Sequence, residues 1–196
     1  MHSYENPLNN QWLSAFDVKS YVLDLSVSNQ NTEISGTAIL YAEATRPLDT
    51  LVLELQDALK VSQVLSLPES RELEYEHSGG VLFMFLERTY VSGELLSVEI
   101  SYGGEAGGNA GFFTGITSAS DYEYDFDVTY TLSEPQNARD WFPVKQVLED
   151  KIDSLTAIYR CKEGLMVGSN GLLVDHHIEG KESVYTWKTS YPEVRQ

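Results

Sequence analysis

Apolar residues at every second position, in short runs separated by turn residues, constrain this chain more than any other feature. Tyr21, Leu23, Leu25 and Val27 alternate with polar neighbours, and Ile34, Ala38, Leu40 and Ala42 share one face of a second run. Leu51, Leu53 and Leu55 make a third, and Leu59 to Leu65 a fourth. Val81, Phe83 and Phe85 follow a Ser78-Gly79-Gly80 turn, and Leu96, Val98, Ile100 and Tyr102 follow Ser92-Gly93-Glu94. A period of two places one apolar face on a core, as a half-buried strand requires. The runs recur about every ten residues, the spacing of a β-sandwich or a curved pair of sheets. The expectation is an all-β sandwich of antiparallel and mixed sheets with little or no helix.

At 196 residues the chain fits one large β-domain, with 42% hydrophobic residues to supply a core. Residues 1–16 lack a period and read as an N-terminal arm that Trp12 and Phe16 pin to the body, with residues 17–196 as the single domain. One helical turn is expected over Gln146–Lys151, and strands over Ile152–Cys161, Gly164–Val167, Gly171–Val174 and Ser183–Thr189. The glycines between Gly103 and Gly115 read as a connecting loop, since no P-loop lysine or strand–Gly-x-Gly-x-x-Gly–helix context accompanies them. Asp121, Glu123, Asp125 and Asp127 read as the solvated acidic face of a strand whose other face carries Tyr122, Tyr124 and Phe126.

The net charge of −17, from 30 acidic against 13 basic residues, disfavours nucleic acid and anionic membranes as partners. No segment is apolar enough to span a membrane, and the polar start, Met1 to Asn10, does not read as a signal peptide. The compartment stays open. Cys161 is the sole cysteine, which excludes an intrachain disulfide and leaves a packed structural thiol as its expected role. Four histidines, His2, His77, His176 and His177, form no His-Glu-x-x-His pair. Adjacent histidines on a strand point to opposite faces, so no metal ligands are assigned and no cofactor is expected on this chain.

The segment Thr131-Leu132-Ser133-Glu134-Pro135, continuing through Arg139 to Trp141-Phe142-Pro143, carries the candidate chemistry. Proline at 135 restricts Glu134 to extended backbone. With Trp141 and Phe142 behind it and Arg139 as a support, such a carboxylate suits a primary ammonium group. The competing reading is a structural Glu134–Arg139 salt bridge. Residue chemistry alone leaves the two equal.

This block resembles one in the zinc aminopeptidases of the aminopeptidase N and leukotriene hydrolase type, which belong to the gluzincin metallopeptidases. Asp17 to Leu25, Ile34 to Ala38, Leu51 to Leu55, Ser169-Asn170-Gly171 and Trp187 to Pro192 resemble that family in order and spacing, so the likeness covers about residues 17 to 192. The resemblance implies a saddle-like N-terminal β-domain docked on a thermolysin-like catalytic domain of the same polypeptide. The zinc would be bound in that second domain. It further implies that Glu134 binds the free α-amino group of peptide N-termini and that Leu132 borders the first side-chain pocket. Leu132 stands where many members carry glutamine, and Val144 and Gln146 stand where a cysteine and an aspartate are usual. The chain alone is then expected to be inactive. The alternative function is a non-catalytic β-sandwich adaptor for proteins or glycans.

Overall fold

A computed structural model describes residues 10–107, 115–123, 125–133, 137–147 and 150–190. A single helical turn, α1 (Asn10–Leu13), precedes thirteen strands. These are β1 (Phe16–Ser26), β2 (Glu33–Ala44), β3 (Leu48–Glu54), β4 (Lys60–Leu67), β5 (Arg71–Glu72), β6 (Glu74–Ser78) and β7 (Val81–Tyr90). They continue as β8 (Leu95–Glu105), β9 (Ile116–Asp121), β10 (Phe126–Thr131), β11 (Ser154–Lys162), β12 (Leu172–Glu179) and β13 (Glu182–Thr189). The expected all-β class holds. Helix among the described residues amounts to α1 and one 3₁₀ turn, Ala138–Asp140.

Eight strands form one mixed sheet in the order β12-β13-β11-β1-β2-β8-β4-β5, and β3-β7-β6 form a second sheet of three. The β9–β10 hairpin stands as a separate pair. Among the described strands only β1 and β11 run parallel, with Tyr21 opposite Leu155 and Leu25 opposite Tyr159. That pairing brings the end of the chain back beside its beginning and makes the sheet mixed.

Alternation decides what is buried. Tyr21, Leu23 and Leu25 of β1, Ala38, Leu40 and Ala42 of β2, and Val98 and Ile100 of β8 project from one face of the large sheet. Leu51 and Leu53 of β3, with Leu82 and Met84 of β7, belong to the same buried cluster. Each such side chain contributes about 1.5–3 kcal/mol by leaving water. Strand β3 is buried on both faces, because Val52 packs with Leu13 under Trp12, Phe83 and Val147. Phe16 is buried and begins β1, and Trp12 meets the Phe83 ring edge-on at 6.3 Å, so both aromatics named for the arm hold it down. Lys145 is buried too, with its ammonium donating to the Phe16 carbonyl and paired with Asp150.

Four local expectations are corrected. Residues 121–127 are not one strand: β9 ends at Asp121, a turn follows, and Asp125 takes φ +52° before β10 begins at Phe126. Alternating acids and aromatics mimic a strand, yet the hairpin register, Phe126 opposite Asp121, reverses the chain there. Gly103 and Gly104 belong to β8 rather than to a loop; Gly104, at φ +147°, is so close to the Ala58 carbonyl that a Cβ would lie 2.4 Å from it. Gly164 to Val167 form no strand, because Leu165 N–H closes a turn on Lys162 instead of joining a ladder. Among the described residues of Gln146–Lys151 there is no helix. Val147 N–H bonds to Lys145 and Asp150 N–H to Val147 in irregular backbone.

Leu53 is fully buried between the sheets, whereas Leu172 is 73% exposed. Leu53→Ala should therefore lower unfolding free energy by about 2–5 kcal/mol. Leu172→Ala should change it by no more than about 0.5 kcal/mol. Urea titration of both variants checks the layer assignment, which equal losses would contradict.

Candidate functional site

The chain leaves β10 at Thr131 and meets β3 again at Val144. Both ends of this crossing are fastened. Leu132 N–H donates to the Gly115 carbonyl at 3.0 Å, extending the β9–β10 ladder by one residue. At the far end Glu54 and Val144 exchange two backbone bonds of 2.8 and 2.9 Å.

Between these points the segment is held by side chains reaching inward. Trp141 Nε1 donates to Ser133 Oγ at 2.9 Å in a buried contact, and Asn137 N–H reaches the Ser133 carbonyl at 3.4 Å. The Tyr102 hydroxyl donates to the Trp141 carbonyl at 3.1 Å, and burial pushes its pKa well above the usual phenol value. Phe142 packs against Trp141 at 4.5 Å and meets Tyr21 edge-on at 5.8 Å. These two aromatics, expected to back the site, are both buried.

Arg139 has a partner that the local sequence does not show. Its guanidinium lies 3.2 Å from Glu54 Oε2, a carboxylate only 1% exposed at the end of β3. Gln146 completes the arrangement: Nε2 donates to the same Glu54 oxygen at 3.3 Å, and Oε1 accepts from Arg139 N–H at 3.3 Å. An aspartate at 146 would face Glu54 with no proton to donate, so glutamine suits this chain's pairing. The 3₁₀ turn is thus tied to the sheet through both the backbone and the side chain of Arg139, whose carbonyl accepts from Gln56 N–H at 3.0 Å.

Gly115 supplies the close approach on the hairpin side. A Cβ there would lie 2.3 Å from the Asn137 carbonyl and 2.5 Å from Asp140 Cβ, so no larger residue fits. Its N–H donates to Asp140 Oδ2 at 3.2 Å. Burial raises the Asp140 pKa above its usual value, opposed by that hydrogen bond and the Arg139 charge.

Leu132 lies on the wall of a cavity of about 780 Å³ between the β9–β10 hairpin, the floor made by Tyr21, Phe142 and Leu155, and the 164–170 loop. Glu134, the expected amine-binding residue, lies outside the described residues, as do Pro135 and Gln136. Of the named residues, Leu132, Arg139, Trp141 and Phe142 are brought into one region. Sequence reasoning missed Glu54, which carries no local signal, and the contact at Gly115, which stands at the end of a glycine-rich run beside Ile116; Ser133 lay inside the block it singled out.

Elsewhere His176 stacks on Tyr185 at 4.2 Å, and His177 Nδ1 lies 2.7 Å from Asp175, so the two rings serve separate surface contacts. Among the described residues no three His, Cys, Asp or Glu side chains converge to hold a metal ion. Cys161 is buried and its thiol approaches the Ser183 carbonyl, with its pKa raised by burial.

Three substitutions probe this frame. Arg139→Met leaves Glu54 buried with its cationic partner removed and should cost about 3–5 kcal/mol of stability. The double variant with Glu54→Gln should recover part of that loss, measured by urea unfolding; no recovery would mean that the pair is not coupled. For Asp140 the folded-state pKa is raised, so its stabilising effect is complete below the unfolded value of about 3.8 and fades as pH rises through the folded pKa. Asp140→Asn should therefore stabilise the fold relative to wild type near pH 7, with the advantage shrinking toward pH 4. A constant difference across that range would contradict this.

No family model matches the sequence, and no curated protein matches it. Solved structures do match in fold. An M1 zinc metallopeptidase from Deinococcus radiodurans bound to a Tyr-Ser-Ala substrate superposes with a TM-score of 0.77 at 21% identity, over 91% of this chain and 40% of that one. A two-domain M1 zinc metallopeptidase bound to L-arginine gives 0.75 at 21%, over 89% and 39%. Yeast LTA4 hydrolase in complex with bestatin gives 0.69 at 17%, over 97% and 30%. This chain thus spans well under half the length of each. The likeness establishes that the chain has the fold of one β-rich part of the M1 zinc metallopeptidases and LTA4 hydrolase, the fold its sequence resemblance called for.

Proposed function

We propose that this chain is the N-terminal β-domain of a zinc metalloaminopeptidase, packed on a thermolysin-like catalytic domain of the same polypeptide. In this reading Glu134 receives the free α-amino group of a peptide substrate. The observation that supports it is the bonding of the described residues on either side of Glu134 in sequence. Ser133 is bonded to Trp141, and Arg139 to the buried Glu54. With its guanidinium bonded to Glu54, Arg139 already has a structural carboxylate partner, which favours the amine-binding role for Glu134 over the salt bridge that competes with it.

The chemistry asked of this domain is binding and orientation. A carboxylate facing an ammonium forms charge-assisted hydrogen bonds worth about 1.5–3 kcal/mol. In this role it fixes the distance between the substrate's N-terminus and the scissile bond, so that one residue is released at a time. Leu132, on the cavity wall, forms an apolar side of the first side-chain pocket. Zinc in the catalytic domain would polarise the scissile carbonyl and activate water. The described residues of this chain offer no ligand set for it, and no step through the metal is assigned to them.

In the full-length enzyme, Glu134→Ala should lower kcat/KM for free-amine substrates by roughly 30- to 1000-fold, raising KM and lowering kcat. Glu134→Gln should be milder, since it keeps an acceptor without the charge. Leu132→Ala should shift preference for the first residue more than it shifts overall rate. The 196-residue chain alone should release nothing from aminoacyl reporters. Activity within about twofold of wild type in a folded Glu134→Ala enzyme would exclude the amine-binding role.

A further inference from the structure

The β10 edge of the β9–β10 hairpin lines the cavity, and its Asp127–Thr129 end is met by the Asn29–Asn31 turn, where Thr129 Oγ1 donates to the Asn31 carbonyl at 3.1 Å. In an antiparallel pair, residues alternate between bonding to the partner and directing their backbone groups away from it. Leu132 N–H bonds to Gly115 in register with the ladder, so the even-numbered residues of β10 bond to β9. The N–H and C=O groups of Asp127, Thr129 and Thr131 therefore face outward. The Asp127 carbonyl is capped by Asn29 Nδ2 at 3.1 Å. The outward groups of Thr129 and Thr131 have no backbone partner among the described residues. All three residues line the cavity of about 780 Å³.

An unpaired strand edge beside an apolar floor is a site for an added strand. Its charge is one-sided. Among the described residues, Glu33 and Asp127 are the carboxylates on its wall and no lysine, arginine or histidine lines it, while Asp121, Glu123 and Asp125 lie in and beside the adjoining turn.

We infer that this trough takes a short extended segment of the catalytic domain, apolar where it meets Tyr21, Phe142 and Leu155 and flanked by lysine or arginine. The segment pairs with the outward edge of β10 at Thr129 and Thr131. The inference rests on the proposed function and assigns the surface through which the two domains meet. This source is favoured because the chain covers only 39% of a relative described as having two domains, so most of such a polypeptide lies beyond it. The net charge of −17 favours a basic counterpart.

Amide hydrogen exchange in the full-length polypeptide, with the 196-residue chain as reference, tests this directly. The Thr129 and Thr131 amides should exchange at least about tenfold more slowly in the full-length protein. Within that protein, Thr131→Pro removes one outward donor without touching the β9 ladder. It should speed exchange at Thr129 by about tenfold while leaving Val128 and Tyr130 unchanged. Equal rates at Thr129 in the two proteins, or no response to Thr131→Pro, would overturn the inference whatever Glu134→Ala does to peptidase activity. Protection that grows with concentration in the 196-residue chain would assign the edge to a second copy, and protection gained only on adding Tyr-Ser-Ala would assign it to substrate; both also overturn it. Protection together with a silent Glu134→Ala would keep the docking surface and remove the amine-binding role.

Discussion

The buried carboxylate of Glu54 is the constraint on which the crossing segment depends. It sits at the end of β3, 1% exposed, and a charge in that position is tolerable only with paired donors. Arg139 and Gln146 supply them from the other side of a long excursion in sequence. Because these donors lie on the crossing, satisfying Glu54 fixes the path of the backbone there. The Val144 bridge and the Gln56–Arg139 bond follow the same path.

Around that point the division of labour is clear. The two sheets provide stability through alternation and burial, and the crossing spends little backbone in regular structure while making specific polar bonds. Trp141 shows the coupling: its indole fills the apolar cluster, its N–H holds Ser133, and its carbonyl receives Tyr102. Ser133 and Asn137 are thus both bonded within the described frame.

The strands were legible because a period of two is a local signal. Tyr21, Leu23 and Leu25 show it without any partner in view. Their parallel pairing with β11 was not legible, since nothing in Ser154 to Lys162 states which strand it will join. The hairpin at residues 121–126 was misread for a physical reason. Acids alternating with aromatics satisfy the strand pattern, while the reversal depends on a positive φ at Asp125 that an aspartate tolerates without announcing it. At the site, Trp141 and Phe142 were legible as an apolar support, and Arg139 as a cation in need of a carboxylate. Its partner was not, because the neighbouring Glu134 is an equally good local choice and Glu54 becomes close only when β3 folds against the crossing. Gly115 was visible as a glycine but not as a contact, since the 2.3 Å approach to Asn137 exists only in three dimensions.

The account's central claim is that Glu134 receives the amine of a peptide substrate. The most direct measurement is a structure of the full-length polypeptide with a bound tripeptide. The account predicts the Glu134 carboxylate within about 3 Å of the peptide's N-terminal nitrogen, as a charge-assisted hydrogen bond requires, with Arg139 still on Glu54. A peptide nitrogen held by other groups, with Glu134 paired to Arg139 instead, would contradict it.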